Sequence, residues 1–235
     1  MATMAQTSAG AAKQGANPPA RRERGRGRPR ADAKESVDES ALLRTAFATF
    51  ATHGYEAATM RAMARDLGVS HNLLNVRFGK KSRLWKAAVD WRLEEAARDV
   101  EIAFDSTHTP EEQLRDLVFR FCRWAIINSD IVAISQQEGR EPSWRLDYLT
   151  ERFTLPFQRR LQKLLEQVAS GTSLRPLGSS ALLALLVHGV GSFFALGPMH
   201  ERLLPDAPQE GGGRQNDVDR ADAMAEFLLA GLFSA

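Results

Sequence analysis

Residues 59–81 collect side chains whose hydrogen-bonding groups match those of a nucleic-acid duplex. His71, Asn72, Leu73 and Asn75 are close enough in sequence for one helix to present them together. Asparagine can pair with adenine and arginine with guanine, and a leucine can touch a thymine methyl group. Arg61 can reach the same bases from a preceding helix. Thr59, Ser70, Arg77 and Lys81 carry hydroxyls and cations suited to phosphate oxygens, which fix register without reading sequence.

Two short helices crossing closely are needed to hold such a set. Thr59 can cap the first, whose inward positions are Met60, Met63, Ala64 and Leu67. Ala64 is small enough for a close crossing, and Gly68 supplies the sharp turn. Val69 can plug the corner, and Ser70 can cap a second helix that buries Leu74 and Phe78. Upstream, residues 37–52 read as a further helix with Leu42, Leu43, Ala46, Phe47 and Phe50 on one side, ended by His53-Gly54. This is the pattern of a DNA-binding helix-turn-helix, with residues 70–77 as its recognition helix.

Residues 42–85, including the Phe78-Gly79-Lys80-Lys81 exit, resemble the TetR family of tetracycline-repressor-like transcription factors. The resemblance implies an all-α protein, with an N-terminal three-helix head and an all-helical ligand-binding and dimerisation body. It also implies a homodimer paired through the last two helices, and double-stranded DNA with a palindromic operator as partner. The family commonly has tyrosine where this chain has Asn75, and an aromatic residue or histidine at Arg77. Arg77 is accordingly expected to grip phosphate in place of the usual tyrosine contact.

Charge is distributed to suit that reading. Residues 1–36 hold eight Lys/Arg against three Asp/Glu, residues 37–104 ten against nine, and residues 105–235 thirteen against seventeen. A basic front and an acidic back suit a protein that meets a polyanion with one end. Residues 1–20 lack periodicity and read as disordered. Arg-Gly-Arg-Pro, with Arg26 and Arg28, resembles an AT-hook core able to enter a narrow minor groove. The competing reading of residues 1–36 is a merely solvated basic arm. The expected domains are therefore the arm at 1–36, the head at 37–84 and the body at 85–235.

After the head, a long helix is expected over residues 80–104, opening with phosphate-facing N–H groups beside Lys81. Further helices are expected at 111–128, 131–138, 142–169 (kinked at Pro156), 177–196 and 218–233. The stretch at 177–196 is apolar nearly all round and should be buried on most sides. The single cysteine, Cys122, forms no intramolecular disulfide and suits a reducing compartment. Residues 1–20 lack the apolar core of a signal peptide, and residues 181–196, interrupted by His188, fall short of the ~20 residues that span a bilayer. A soluble, cytoplasmic protein is expected, with no membrane partner.

No nucleophile elbow, zinc-protease pair or metal-ligand spacing occurs, so neither catalysis nor a cofactor is expected. The resemblance implies a small-molecule effector in the body. Phe119, Cys122, Trp144, Tyr148, His188 and Phe193 are candidates to line its pocket, as are Trp124, Phe194 and Met199. Each has the competing reading of ordinary core or dimer contact, and for any single one the core reading carries more weight. The expected function is a repressor whose operator binding is relieved by a small apolar ligand. The alternative is a ligand-independent architectural protein that binds the minor groove through the arm.

Overall fold

Local capping rules set where the helices begin. The protein is described by a computed structural model that covers residues 38–104, 107–171, 178–203 and 213–233, and every regular element among them is helical. Helix α1 (Glu39–Ala57) starts on Asp38, whose carboxylate accepts from the Ser40 N–H at 3.0 Å. Its buried side is the predicted one, Leu42, Leu43, Ala46, Phe47 and Phe50, with Ala51. Gly54 has φ 75°, as a helix-breaking glycine should, but one more helical turn follows it to Ala57.

Helices α2 (Met60–Asp66) and α3 (His71–Phe78) form the helix-turn-helix, and α4 (Lys81–Glu101) runs on into a 3₁₀ turn at Ile102–Phe104. The first core cluster joins α1 to α4 around Trp85, Phe47, Phe50, Met63 and Leu74. It also recruits Ile131, Ile134 and Leu149 from further along the chain, so the head is not packed on itself alone.

In the body, α5 (Pro110–Ile127) opens with a reciprocal cap between Thr109 and Glu112. The N–H and hydroxyl of Thr109 each donate to the Glu112 carboxylate at 2.8 Å and hold its pKa below the usual range. Helix α6 (Ser129–Glu138) follows, then α7 (Trp144–Leu149), a π-turn at Thr150–Thr154 and α8 (Leu155–Gly171). The predicted disturbance at Pro156 is thus a widened turn just ahead of the proline, because Pro156 has no N–H to return to the Arg152 carbonyl.

The expected helix at 177–196 is resolved into α9 (Ser179–Ala184), a π-turn at Leu185–Val190 and α10 (Gly191–Ala195). A further helix, α11 (Gly197–Leu203), lies between the helices expected at 177–196 and 218–233, and α12 (Gly213–Phe233) ends the described chain. A Cβ at Gly191 would lie 2.9 Å from Val132 Cγ2, so the glycine is what lets α10 press against α6. The second core cluster joins α5, α8, α9, the π-turn at Leu185–Val190 and α12. Burial on most sides is not found within one chain: Leu185 is 45% and Leu196 44% exposed, and Phe227 of α12 is 80% exposed. Among the described residues, no helix is long and apolar enough to cross a membrane.

Candidate nucleic-acid interface and cavity

Thr59 and Ser70 each cap their helix through a backbone N–H three residues on, from Ala62 at 3.1 Å and from Leu73 at 3.2 Å. Those bonds use the hydroxyl oxygens as acceptors, leaving each O–H free to donate. Gly68 turns the chain at φ 66°, and the Val69 N–H donates to the Ala64 carbonyl at 2.9 Å, closing the corner between the helices. With Leu74 fully buried and Phe78 nearly so, α3 is left with His71, Asn72, Asn75, Val76 and Arg77 facing outward.

Leu73 is only partly exposed. Asn75 and His71 are in contact, Nδ2 donating to Nδ1 at 3.1 Å when that nitrogen is unprotonated, so the two form one polar unit. Arg61 is exposed on α2. Sequence reading missed Val76, which is 77% exposed in the middle of this face. Its signal was its position: three residues beyond Leu73 and four beyond Asn72, it shares their helix face. An apolar β-branched side chain there suits a thymine methyl group.

The two expected phosphate-binding cations are engaged within the chain. Arg77 is ion-paired to Glu39 at the start of α1. Lys81 donates to the Tyr55 carbonyl at 2.8 Å, and its ammonium lies 4.2 Å from the centre of the Tyr55 ring. Lys81 therefore staples the end of α1 to the start of α4, which has no side-chain cap of its own. Arg26 and Arg28 lie outside the described residues.

A cavity of about 810 Å³ opens in the body. One wall is α4 itself, through Leu93, Ala96, Ala97, Val100 and Glu101. Phe121 and Trp124 of α5, and Ile131, Val132, Ser135 and Gln136 of α6, form others. The π-turn and α8 add Arg152, Phe153, Phe157 and Arg160, while α9 and the turn after it add Leu183, Val187 and His188.

Of the six residues singled out for a pocket, His188 borders this cavity and the other five lie elsewhere. Phe119 lines a separate groove between α5 and α12. Cys122 is fully buried, and burial pushes its thiol up to about 12. Trp144 and Tyr148 pack edge-on against Trp85, with ring centres 5.2 and 5.9 Å away, at the seam between head and body. Phe193 packs on Phe194 and His200. Helical spacing marked these side chains as inward, but it does not say which inward side faces a void. Of the three further candidates, Trp124 borders the cavity and Phe194 and Met199 do not.

The lining is also less apolar than expected, because Arg140, Arg152 and Arg160 all border it. Arg152 donates to Asp90 at 2.8 Å and to Glu94 at 2.7 Å, both on α4. Tyr148 donates to the same Asp90 at 2.7 Å, and burial with that bond pushes its phenol up to about 12. Arg160 lies 3.5 Å from Glu101 and 4.2 Å from the centre of the Phe104 ring.

Residues 42–88 match the family model for bacterial regulatory proteins of the tetR family. No curated protein matches the chain. Among solved structures, the ketosteroid transcriptional regulator KstR2 of Mycobacterium tuberculosis is 21% identical, with a TM-score of 0.61 over 83% of this chain and 94% of that one. AibR, solved with isovaleryl coenzyme A and operator DNA, is 15% identical, with a TM-score of 0.62 over 82% and 96%. The fatty acid degradation regulator FadR from Bacillus halodurans is 16% identical, with a TM-score of 0.57 over 83% and 100%. At these identities the likeness is one of fold.

Proposed function

We propose that this chain, whose residues 42–88 match the tetR family model, is a non-catalytic DNA-binding regulator of that family and a repressor that a small ligand releases from a palindromic operator. The observation that carries the reading is that one helix borders both sites. Helix α4 begins three residues after the recognition helix ends, and its second half walls the cavity. A ligand seated there bears directly on the element that sets the angle of the head.

Base reading falls to Arg61, His71, Asn72, Leu73, Asn75 and Val76, and phosphate positioning to Thr59, Ser70, Arg77 and Lys81. Arg77 and Lys81 exchange their internal partners for phosphate when DNA arrives. A second copy of the chain covers the apolar face of α9, α10 and α12, where Leu185, Leu196 and Phe227 are exposed. Gly189 and Gly231 have open space around their Cα atoms, which lets a second helix come close. Two heads held at fixed separation then meet two half-sites, and a change of a few ångströms in that separation breaks simultaneous contact. AibR, of the same fold, is in complex with isovaleryl coenzyme A and operator DNA, which supports a small ligand beside DNA for this chain as well.

Fragments selected by the protein from genomic DNA, sequenced and then footprinted, test this reading. Protection of one short palindrome supports it, whereas protection of extended A·T-rich DNA replaces it with the architectural alternative.

A further inference from the structure

Arg152 belongs to two structures at once. It lines the cavity, and it straps α4 to the body through Asp90 and Glu94. Those carboxylates are one helical turn apart on α4, so a single guanidinium holds a whole turn in place. The strap lies beside the aromatic seam, where Tyr148 touches both Asp90 and the ring of Trp85. Arg160, also lining the cavity, makes a weaker copy of the arrangement with Glu101. Arg140 lines the cavity and has no ion-pair partner among the described residues. The apolar walls therefore lead to one cation without a carboxylate and to two that are shared with α4.

We propose that the cavity takes an amphipathic anion, and that its head group draws Arg152 away from Asp90 and Glu94, so that α4 is unstrapped as the ligand binds. This rests on the ligand-responsive reading above and names the chemistry of the ligand and the bonds it exchanges. Apolar surface supplies affinity and holds the tail. Arg140 receives the anion first, because taking it costs no existing ion pair. Arg152 then faces two competing sets of oxygens, those of α4 and those of the ligand. The state with α4 strapped fits the operator, so anion and operator weaken each other by one common factor. Neutral molecules of the same shape fill the cavity without moving Arg152.

Decanoate, decyl phosphate and decanol, titrated by calorimetry into the full-length dimer with and without operator, give the test. Both anions should bind at least tenfold more tightly than decanol, and saturating decanoate should lower operator affinity at least tenfold. Arg140→Gln should erase most of the preference for anions. Glu94→Gln should tighten decanoate several-fold, because Arg152 is then partly released, and should weaken operator binding without any ligand. Damage to packing alone would not tighten the ligand. Arg152→Gln should weaken operator binding several-fold, with Arg152→Lys restoring most of it.

Equal binding of decanol and decanoate, with operator still released, would overturn the anionic head group and leave ligand responsiveness standing. Decanoate bound in the cavity with operator affinity unchanged would overturn the release reading itself. Loose or unaltered decanoate binding by Glu94→Gln would overturn the exchange. Failure of all three probes to bind would overturn the amphipath.

Discussion

The head and the body are both helical, yet they place their functional groups by different rules. In the head, every candidate reader lies between Thr59 and Lys81, and two side-chain caps hold the set in register. In the body, the cavity is walled by residues from Leu93 to His188, drawn from helices far apart along the chain. A local device can be read from spacing along one strand of sequence. A void between helices depends on which of several apolar faces meet incompletely, and that is a property of the whole packing.

The sharpest way to test this contrast is to damage each region where it is most constrained. Leu74 is fully buried between α3 and the rest of the head, and Leu74→Ala should cost about 2–5 kcal/mol in chemical denaturation and abolish operator binding. Gly191→Ala drives a methyl group into Val132 and should cost about 1–3 kcal/mol, with the cavity altered and base preference kept. If Gly191→Ala instead changed which bases are preferred, the two regions would not be separable in the way described.

Legibility followed the same division. Ser70, Thr59, Gly68 and the buried pair Leu74 and Phe78 were readable because caps, turns and inward positions recur at fixed spacing. Val76 was less legible because an apolar side chain at that spacing ordinarily belongs to a core, although Leu73 and Asn72 already defined the face. The pairing of Arg77 with Glu39 joins residues 38 positions apart, and no helical period announces it. The pocket candidates are placed by a different rule. Trp144 and Tyr148 are aromatic and inward, but what they face is Trp85 and not a cavity. Arg152 was overlooked because a charged residue on a helix is ordinarily a solvated one.

Within the head, base readers and phosphate holders should separate in titration. Arg61→Ala is expected to lose about 1–3 kcal/mol of operator affinity and to relax preference at one base position. Equal weakening on every sequence would move Arg61 into the phosphate-holding group.

Lys81 provides a smaller and more discriminating case, since it now has two duties. Lys81→Ala should lower affinity evenly across sequences and flatten the dependence of log affinity on log salt by roughly one unit. It should also lower the melting temperature, because the bonds to the Tyr55 and Glu56 carbonyls are lost. A lower melting temperature with the salt dependence unchanged would make Lys81 a staple of α1 alone.

The smallest effect belongs to the body, where Arg123 joins α5 to α12. Its Nε and Nη2 donate to the two Asp222 oxygens at 2.6 and 2.7 Å. Those hydrogen bonds hold the Asp222 carboxyl below the usual carboxylate range. A carboxyl with a depressed pKa in the folded state stabilises the fold above its unfolded pKa, and that contribution is lost as pH falls through the folded value. Since an unfolded aspartate titrates near about 3.9, the increment should be whole at neutral pH and fade on acidification below roughly pH 4. The pair is partly exposed, so the increment should be no more than about 1 kcal/mol. Asp222→Asn should therefore melt slightly below the parent protein at pH 7, and the gap should close toward pH 2. A gap that stayed constant across that range would mean that Asp222 holds α12 by shape and hydrogen bonding alone, with no contribution from its charge.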